Sequence, residues 1–377
     1  MQIDLMKSRK VPFFNYPHVY KQYEEDFLRI FKDVVGRGAY ILQQEGRDFE
    51  ENIAKFIGAK YGLGVGNCTD GLYFALRAAG IGKGDEVIFS SHTFVATASA
   101  IHHSGATPIP VECGEDHLID PKAIEAAITP RTRAIMPTQL NGHVCDMDAI
   151  MEIVNKHGLL LIEDAAQSLG AKYKGKAAGT FGAASAFSFY PAKVVGCFGD
   201  GGAVVTNDDK MQEEIALLRD HGRAKIGEVV KWGMNSRLDN LHAAILDFKL
   251  THYPADIERR RAIATQYQNG LGDIAEIKLP RAPDADVNRF EIYQNYEVEV
   301  DATIREKLRI TLGEKGIGTI LQWGGKAVHE YKGLGLKYNL PFTEQLMKRS
   351  FLLPLHTALT DEDVAYIIEN IRSFFGS

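Results

Sequence analysis

One lysine stands apart in the tract FSFYPAKVVGCFGDGGAVV, residues 187–205. Lys193 is its only basic residue, set among apolar side chains and glycines. Burial disfavours an ammonium ion, so such a lysine tends toward a neutral, nucleophilic amine. The plain alternative is a strand-end lysine that reaches to the surface. Glu163 and Asp164 end the apolar run LLLIEDAA upstream. A buried carboxylate is costly unless a cation or donor meets it. A protonated pyridine nitrogen is one such partner, and an aspartate beside it makes the ring an electron sink. A structural salt bridge or a helix cap would also satisfy the acid. The segment GNCTDG, residues 66–71, follows a strand-like run and opens a helix-like one. Its backbone N–H groups could point at a phosphate, with Thr69 as N-cap or phosphate ligand. It lacks the G-x-G-x-x-G dinucleotide fingerprint. Phe94, in SSHTF, could lie over a planar ring or fill the core. Ser188 precedes Lys193 by five positions and could bind phosphate. The tract GDGG after it lets backbone pass close to a ligand. In chain order these residues make a phosphate cradle, a stacking aromatic, a ring-nitrogen carboxylate and a Schiff-base lysine.

The elements that must position them are legible as a repeat. From about residue 60 to 210, short apolar runs alternate with amphipathic stretches: YGLGVGN then DGLYFALRAAG, EVIFSS then TFVATASAIHHSG, RAIMPTQ then DMDAIMEIVNKHG. This predicts an α/β fold with an open, mostly parallel sheet covered by helices on both faces. Strands are predicted at 170–174, 183–189 and 202–206, and a helix at about 208–220. Residues 16–58 read as helical, divided by Gly-Arg-Gly at 36–38. Residues 240–270 predict a long helix kinked near Pro254. Ligands of such sheets bind at the carboxyl ends of the strands, where these segments fall.

A length of 377 residues predicts two domains: residues 1–250, with an N-terminal helical segment, and a smaller αβ domain, 251–377. The net charge of −6 argues against nucleic acid as the main partner. Cys68, Cys113, Cys145 and Cys197 lack C-x-x-C spacing and predict reduced, mostly buried thiols. No zinc motif is present. The N-terminus has no sustained apolar region and no window approaches a membrane span, which predicts a cytoplasmic protein.

The chain resembles the DegT/StrS-type nucleotide-sugar aminotransferases, of the aspartate-aminotransferase fold, fold type I of the pyridoxal 5'-phosphate (PLP) enzymes. The resemblance runs through GNCTDGLYFALRAAGIGKGDEVI, SSHTFVATASAI, IEDAAQSLGAKYKGK, FSFYPAKVVGCFGDGGAVVTND, GMNSRLDNLHAAIL and LPLHTALTDEDV. It implies a large domain with a seven-stranded sheet, and PLP as cofactor. It puts Lys193 on the Schiff-base lysine and Asp164 on the carboxylate that pairs with the pyridine nitrogen. Gln167 falls on the residue at the ring-hydroxyl side, Phe94 on the ring-stacking position, and Ser188 with the backbone of Thr69 and Asp70 on the phosphate site. Asn235 falls on the asparagine that reaches the phosphate of the other subunit's cofactor, which implies a homodimer with shared active sites. Arg237 follows as a substrate or interface candidate.

The implied reaction moves an amino group from glutamate to a keto group, at C3 or C4, of a nucleotide-linked deoxysugar. It runs in ping-pong order through pyridoxamine phosphate, in amino-sugar biosynthesis for a polysaccharide such as O-antigen. Two stretches depart from the family's commonest pattern: QLNG at Gln139–Gly142, and ILQWGGKAVHEY at 320–331. Both are expected near the substrate. A PLP-dependent sugar dehydratase or epimerase would share the cofactor site, although one dehydrating branch replaces the lysine with histidine. A non-catalytic regulatory protein should have lost Lys193 or Asp164. A nicotinamide oxidoreductase lacks support without the glycine fingerprint.

Overall fold

Seven five-residue strands pair into one sheet in the computed structural model, which describes residues 9–224 and 227–376. They are β1 (Tyr61–Val65), β2 (Glu86–Ser90), β3 (Thr107–Val111), β4 (Thr132–Met136), β5 (Leu160–Asp164), β8 (Ala184–Ser188) and β9 (Gly202–Thr206). Two-residue strands β6 (Lys172–Tyr173) and β7 (Lys176–Ala177) form a small hairpin extended by β11 (Arg289–Phe290). The sheet order is β1-β9-β8-β5-β4-β2-β3. β9 pairs antiparallel with both its neighbours, and the remaining pairings are parallel. The predicted mostly parallel architecture is therefore present.

Helices cover both faces: α1 (Tyr16–Gln22), α2 (Glu24–Gly36), α3 (Gln44–Ile57), α4 (Cys68–Ala78), α5 (Val95–Ser104), α6 (Pro121–Ala127), α7 (Met147–His157), α8 (Asp209–Leu218) and α9 (Asn240–Leu271). Side chains alternate along each strand. Leu161, Phe187, Ala203 and Val205 join one buried cluster, while Ile162, Ala186 and Val204 join the cluster on the opposite face. Burial on both sides explains why these strands read as continuous apolar runs. Helix starts are set by local side chains. The Asn67 side chain accepts from the Asp70 N–H, Asp146 from Ala149, and Asp208 from Lys210 and Met211.

A third core lies in the C-terminal part, around the sheet β10 (Ile277–Lys278), β12 (Tyr296–Val300) and β13 (Ser350–Leu353). Helices α10 (Arg305–Glu314), α11 (Pro341–Arg349) and α12 (Asp361–Phe375) accompany it. Helix α9 runs unbroken through Pro254 for 32 residues. Its Leu246, Leu250, Tyr253 and Ile257 pack in a core of the large sheet; its Ile263, Ala264, Tyr267 and Leu271 pack in the C-terminal core. The expected division at 250/251 thus falls inside one helix. Val11 also belongs to the C-terminal core, where its N–H donates to the Gly316 carbonyl.

The two parts meet along 292–295. The Ile292 N–H donates to the Gly142 carbonyl (3.0 Å) and the Asn295 N–H to the Asn141 carbonyl (3.4 Å). Gly142 has φ of +89°, and a Cβ there would lie 2.5 Å from the Tyr293 nitrogen and 2.6 Å from the Gln294 nitrogen. Only glycine fits this crossing. Gly142→Ala is expected to destabilise the protein by roughly 2 kcal/mol or more, seen as a lower urea midpoint; an unchanged midpoint would refute this reading of the contact.

Candidate active site

Asp164 is the last residue of β5, and alternation turns it to the opposite face from Glu163. The two acids have different partners. Glu163 is fully buried and accepts from Gln139 Nε2 and the backbone N–H groups of Gly179, Phe181 and Gly182. It is a structural tie that folds the 179–182 turn onto the sheet. Asp164 is also buried, but it faces a cavity. Its Oδ2 accepts from Thr97 Oγ1 at 2.7 Å, and its Oδ1 from the Ala166 N–H at 3.2 Å. Burial pushes the Asp164 carboxyl above its usual range, against the pull of Thr97, the Ala166 N–H and the Lys193 charge. A cation brought into the cavity would restore the charged carboxylate.

Lys193 faces the same cavity from the loop after β8. Burial lowers its amine below the ordinary lysine range, with Asp164 opposing. The expected depressed amine is therefore what the surroundings produce. Thr69, Phe94, Gln167 and Ser188 line the cavity with them. Phe94 sits at the N-cap of α5 and is 54% exposed, so it is a cavity wall and not core. The Gln167 side-chain carbonyl accepts from the Asn141 N–H at 2.8 Å, which fixes how the amide is turned.

One local expectation changes. The N-cap of α4 is Asn67 and not Thr69; Thr69 stands one residue inside the helix, at a helix N-terminus open to the cavity. The Asp70 N–H is held by Asn67 Oδ1 at 2.9 Å, its carboxylate accepts from Ser236 Oγ at 2.7 Å, and Asp70 is not in the lining. In GDGG, Asp200 and Gly201 line the cavity, while a Cβ on Gly202 would lie 2.7 Å from the Cys68 nitrogen, so glycine there lets β9 pass the start of α4.

Asn235 is exposed and does not line the cavity of its own chain, and Arg237 is paired with Asp220. Of QLNG, Leu140 reaches the cavity while Gln139 turns to Glu163 and Asn141 stands behind the wall. Of 320–331, Ile320, Gln322 and Trp323 line it. His329 instead bonds Ser91 Oγ at 2.7 Å and Glu344 at 3.2 Å.

Phe13, Phe14, Tyr16, Thr97, Gln294 and Asn295 were not legible as site residues. Only Thr97 carried a signal, three residues after Phe94 on one helix face. Gln294 brackets Lys193. Its Oε1 accepts from the Val194 N–H at 2.8 Å, and its Nε2 donates to the Ala192 carbonyl at 2.9 Å. Arg260, buried on α9, donates to the carbonyls of Tyr293 and Gln294 and holds that segment in turn.

The donor set fits pyridoxal phosphate. A helix N-terminus and Ser188 suit a phosphate, the exposed face of Phe94 suits a flat ring, Asp164 suits a protonated ring nitrogen, and Lys193 can bind an aldehyde. A sheet of this order, with a lysine and a buried aspartate facing one cavity at its strand ends, defines a fold type I transferase. The chain belongs to the DegT/DnrJ/EryC1/StrS aminotransferase family, whose model matches residues 21–372. A Streptomyces venezuelae protein named dTDP-3-amino-3,4,6-trideoxy-alpha-D-glucose transaminase is 39% identical over 375 residues, 98% of this chain and 97% of that one. The crystal structure of DesV from S. venezuelae has a TM-score of 0.92 and 37% identity, covering 97% of this chain and 98% of that chain. NtdA of Bacillus subtilis, with bound cofactor PMP, has a TM-score of 0.90 and 27% identity, covering 100% of this chain and 87% of that chain.

Gln294→Ala should leave the protein folded and slow transamination about tenfold, because the loop that aims Lys193 loses both its ties. Steady-state assays check this; full activity would remove Gln294 from the account.

Proposed function

We propose that this protein is a PLP-dependent transaminase that moves an amino group from glutamate to the keto group of a nucleotide-linked deoxysugar, with C3 the position aminated. The observation that carries this reading is the meeting of the Lys193 amine and the buried Asp164 carboxylate in one cavity. The S. venezuelae relative, named as a transaminase for a 3-amino sugar, supports both the substrate class and the position.

Pyridoxal phosphate supplies an aldehyde that exchanges amines and a ring that accepts the electron pair released when a proton leaves the donor's α-carbon. The chain's residues do the rest. Thr69 at the start of α4 and Ser188 would hold the phosphate. Phe94 would cover one face of the ring. Asp164 would keep the proton on the ring nitrogen, and Gln167 would serve the ring-hydroxyl side. Lys193 would anchor the cofactor and would also serve as the base that moves a proton at the donor's α-carbon, a role its lowered affinity for protons suits. In the second half the same amine works in reverse on the keto sugar. The order is ping-pong, with one substrate leaving before the next binds.

We further propose two domains that share α9, a cytoplasmic location, and a homodimer with shared sites. Exposed apolar side chains support the dimer: Tyr40, Ile41, Leu42, Tyr190, Phe198, Trp232 and Met234. Asn235 lies on the same surface-exposed segment as Met234, as a residue that serves a partner's site would.

Lys193→Ala should give a folded protein that binds PLP without a covalent link reducible by borohydride, and transaminase turnover should fall by about a thousandfold or more. Mass spectrometry after reduction and a coupled 2-oxoglutarate assay read the two effects. A variant that kept full turnover would overturn the assignment of Lys193.

A further inference from the structure

Behind the cavity wall lies a chain of side-chain amides whose orientation one carboxylate decides. Asn295 and Gln322 line the cavity, and Asn141 stands behind them. Asn141 Oδ1 accepts from Asn295 Nδ2 at 2.8 Å and from Gln322 Nε2 at 2.9 Å. Asn141 Nδ2 donates to Gln322 Oε1 at 3.3 Å and to Glu297 Oε2 at 2.8 Å. Amides can be turned either way, but an ionised carboxylate only accepts. Glu297 therefore requires the Asn141 NH2 to face it. That turns Asn141 Oδ1 toward the wall, which requires the NH2 groups of Asn295 and Gln322 to face inward. Asn295 Oδ1 is then left for the cavity, together with the second N–H of Gln322.

Glu297 is kept ionised by its setting. It is 2% exposed, and its Oε2 also meets His117 Nδ1 at 2.9 Å, while Oε1 lies 3.5 Å from His92 Nε2. His117 Nε2 meets Glu299 at 2.9 Å, so both its nitrogens face carboxylates and the ring is held as a cation. Lys278 and Arg349 complete the neutralisation at Glu299. These charges lie on β12, the 113–119 segment, β10 and the end of α11, so the cluster ties the C-terminal part to the large sheet behind the site.

We propose that Glu297 is a positioning residue that acts through Asn141 to fix Asn295 and Gln322 as a neutral acceptor–donor pair, selecting keto sugars whose substituents near this wall are hydroxyls over those that carry a carboxylate there. A hydroxyl can donate to Asn295 Oδ1 and accept from Gln322. A carboxylate only accepts, so it would oppose the Asn295 oxygen with no proton between them. The inference rests on the proposed sugar transamination and deepens it.

The test uses the PLP-loaded full-length protein and runs each half-reaction alone by following cofactor absorbance. The probes are glutamate, a dTDP-linked 3-amino-3-deoxyhexose that keeps its C6 hydroxyl, and the dTDP-linked hexuronate with a carboxylate at C6, the amino sugars being run in the reverse direction. Wild type should react at least about tenfold faster with the deoxyhexose than with the hexuronate. Glu297→Gln frees the amide chain to turn. It should raise KM for the deoxyhexose about tenfold and leave the glutamate half-reaction within about twofold. Asn141→Ala, which removes the link between Glu297 and the wall from outside the cavity, should give the same split and serves if Glu297→Gln does not fold. Equal losses in both half-reactions, no loss in either, or a wild-type preference for the hexuronate would overturn the inference. If wild type reacts with glutamate but with neither sugar, the sugar-transaminase reading itself falls, and this inference with it.

Discussion

A carboxylate buried at the end of a strand is the constraint around which this molecule is arranged. Asp164 sits where solvent is excluded, and burial favours its protonated form. Its protein partners are one hydroxyl and one backbone N–H. That is too little to settle a buried charge and enough to aim it. A cationic donor entering the cavity would complete it, as a protonated ring nitrogen would. Phe94, Lys193 and Gln167 stand around that same space.

Glu163, one residue earlier, shows what full satisfaction looks like. It accepts from three backbone N–H groups and one amide, and it needs nothing from outside. The sequence presents the two acids as equals. The strand's alternation separates them into a structural tie and a site residue, and no local signal in the residue types distinguishes the two roles. The same alternation made the sheet easy to read, because Leu161 and Ile162 must both be apolar when both faces are covered.

The α/β alternation is legible in the periodicity, and the seven-stranded sheet is what the family resemblance implies. Lys193, Asp164, Phe94 and Ser188 can be singled out as candidates because each lies at a strand end or helix start, and the fold brings them to one cavity. Gln294 and Asn295 cannot be singled out. Gln294 holds a loop 100 positions away, and Asn295 bonds Asn141 across 154 positions. Such contacts depend on how the C-terminal part returns across the sheet, which periodicity does not encode. Of the two readings of Thr69, the cap goes to Asn67, two residues earlier and a better cap by type, and the phosphate reading stays open. Phe13 and Phe14 come from an N-terminal stretch with no pattern of its own. The C-terminal part thus contributes more than cover: Arg260 fixes the 293–294 carbonyls, Gln294 fixes the lysine loop, and Glu297 fixes the amide wall.

The most direct test of the central claim is the protonation state of the cofactor's ring nitrogen. The protein would be reconstituted with 15N-labelled pyridoxal phosphate and its nitrogen chemical shift followed from pH 6 to 9 by NMR. The account predicts a protonated pyridinium throughout in wild type, because Asp164 is the buried acceptor waiting for it, and a neutral pyridine in Asp164→Asn. A neutral ring nitrogen in the wild-type protein at neutral pH would contradict the account.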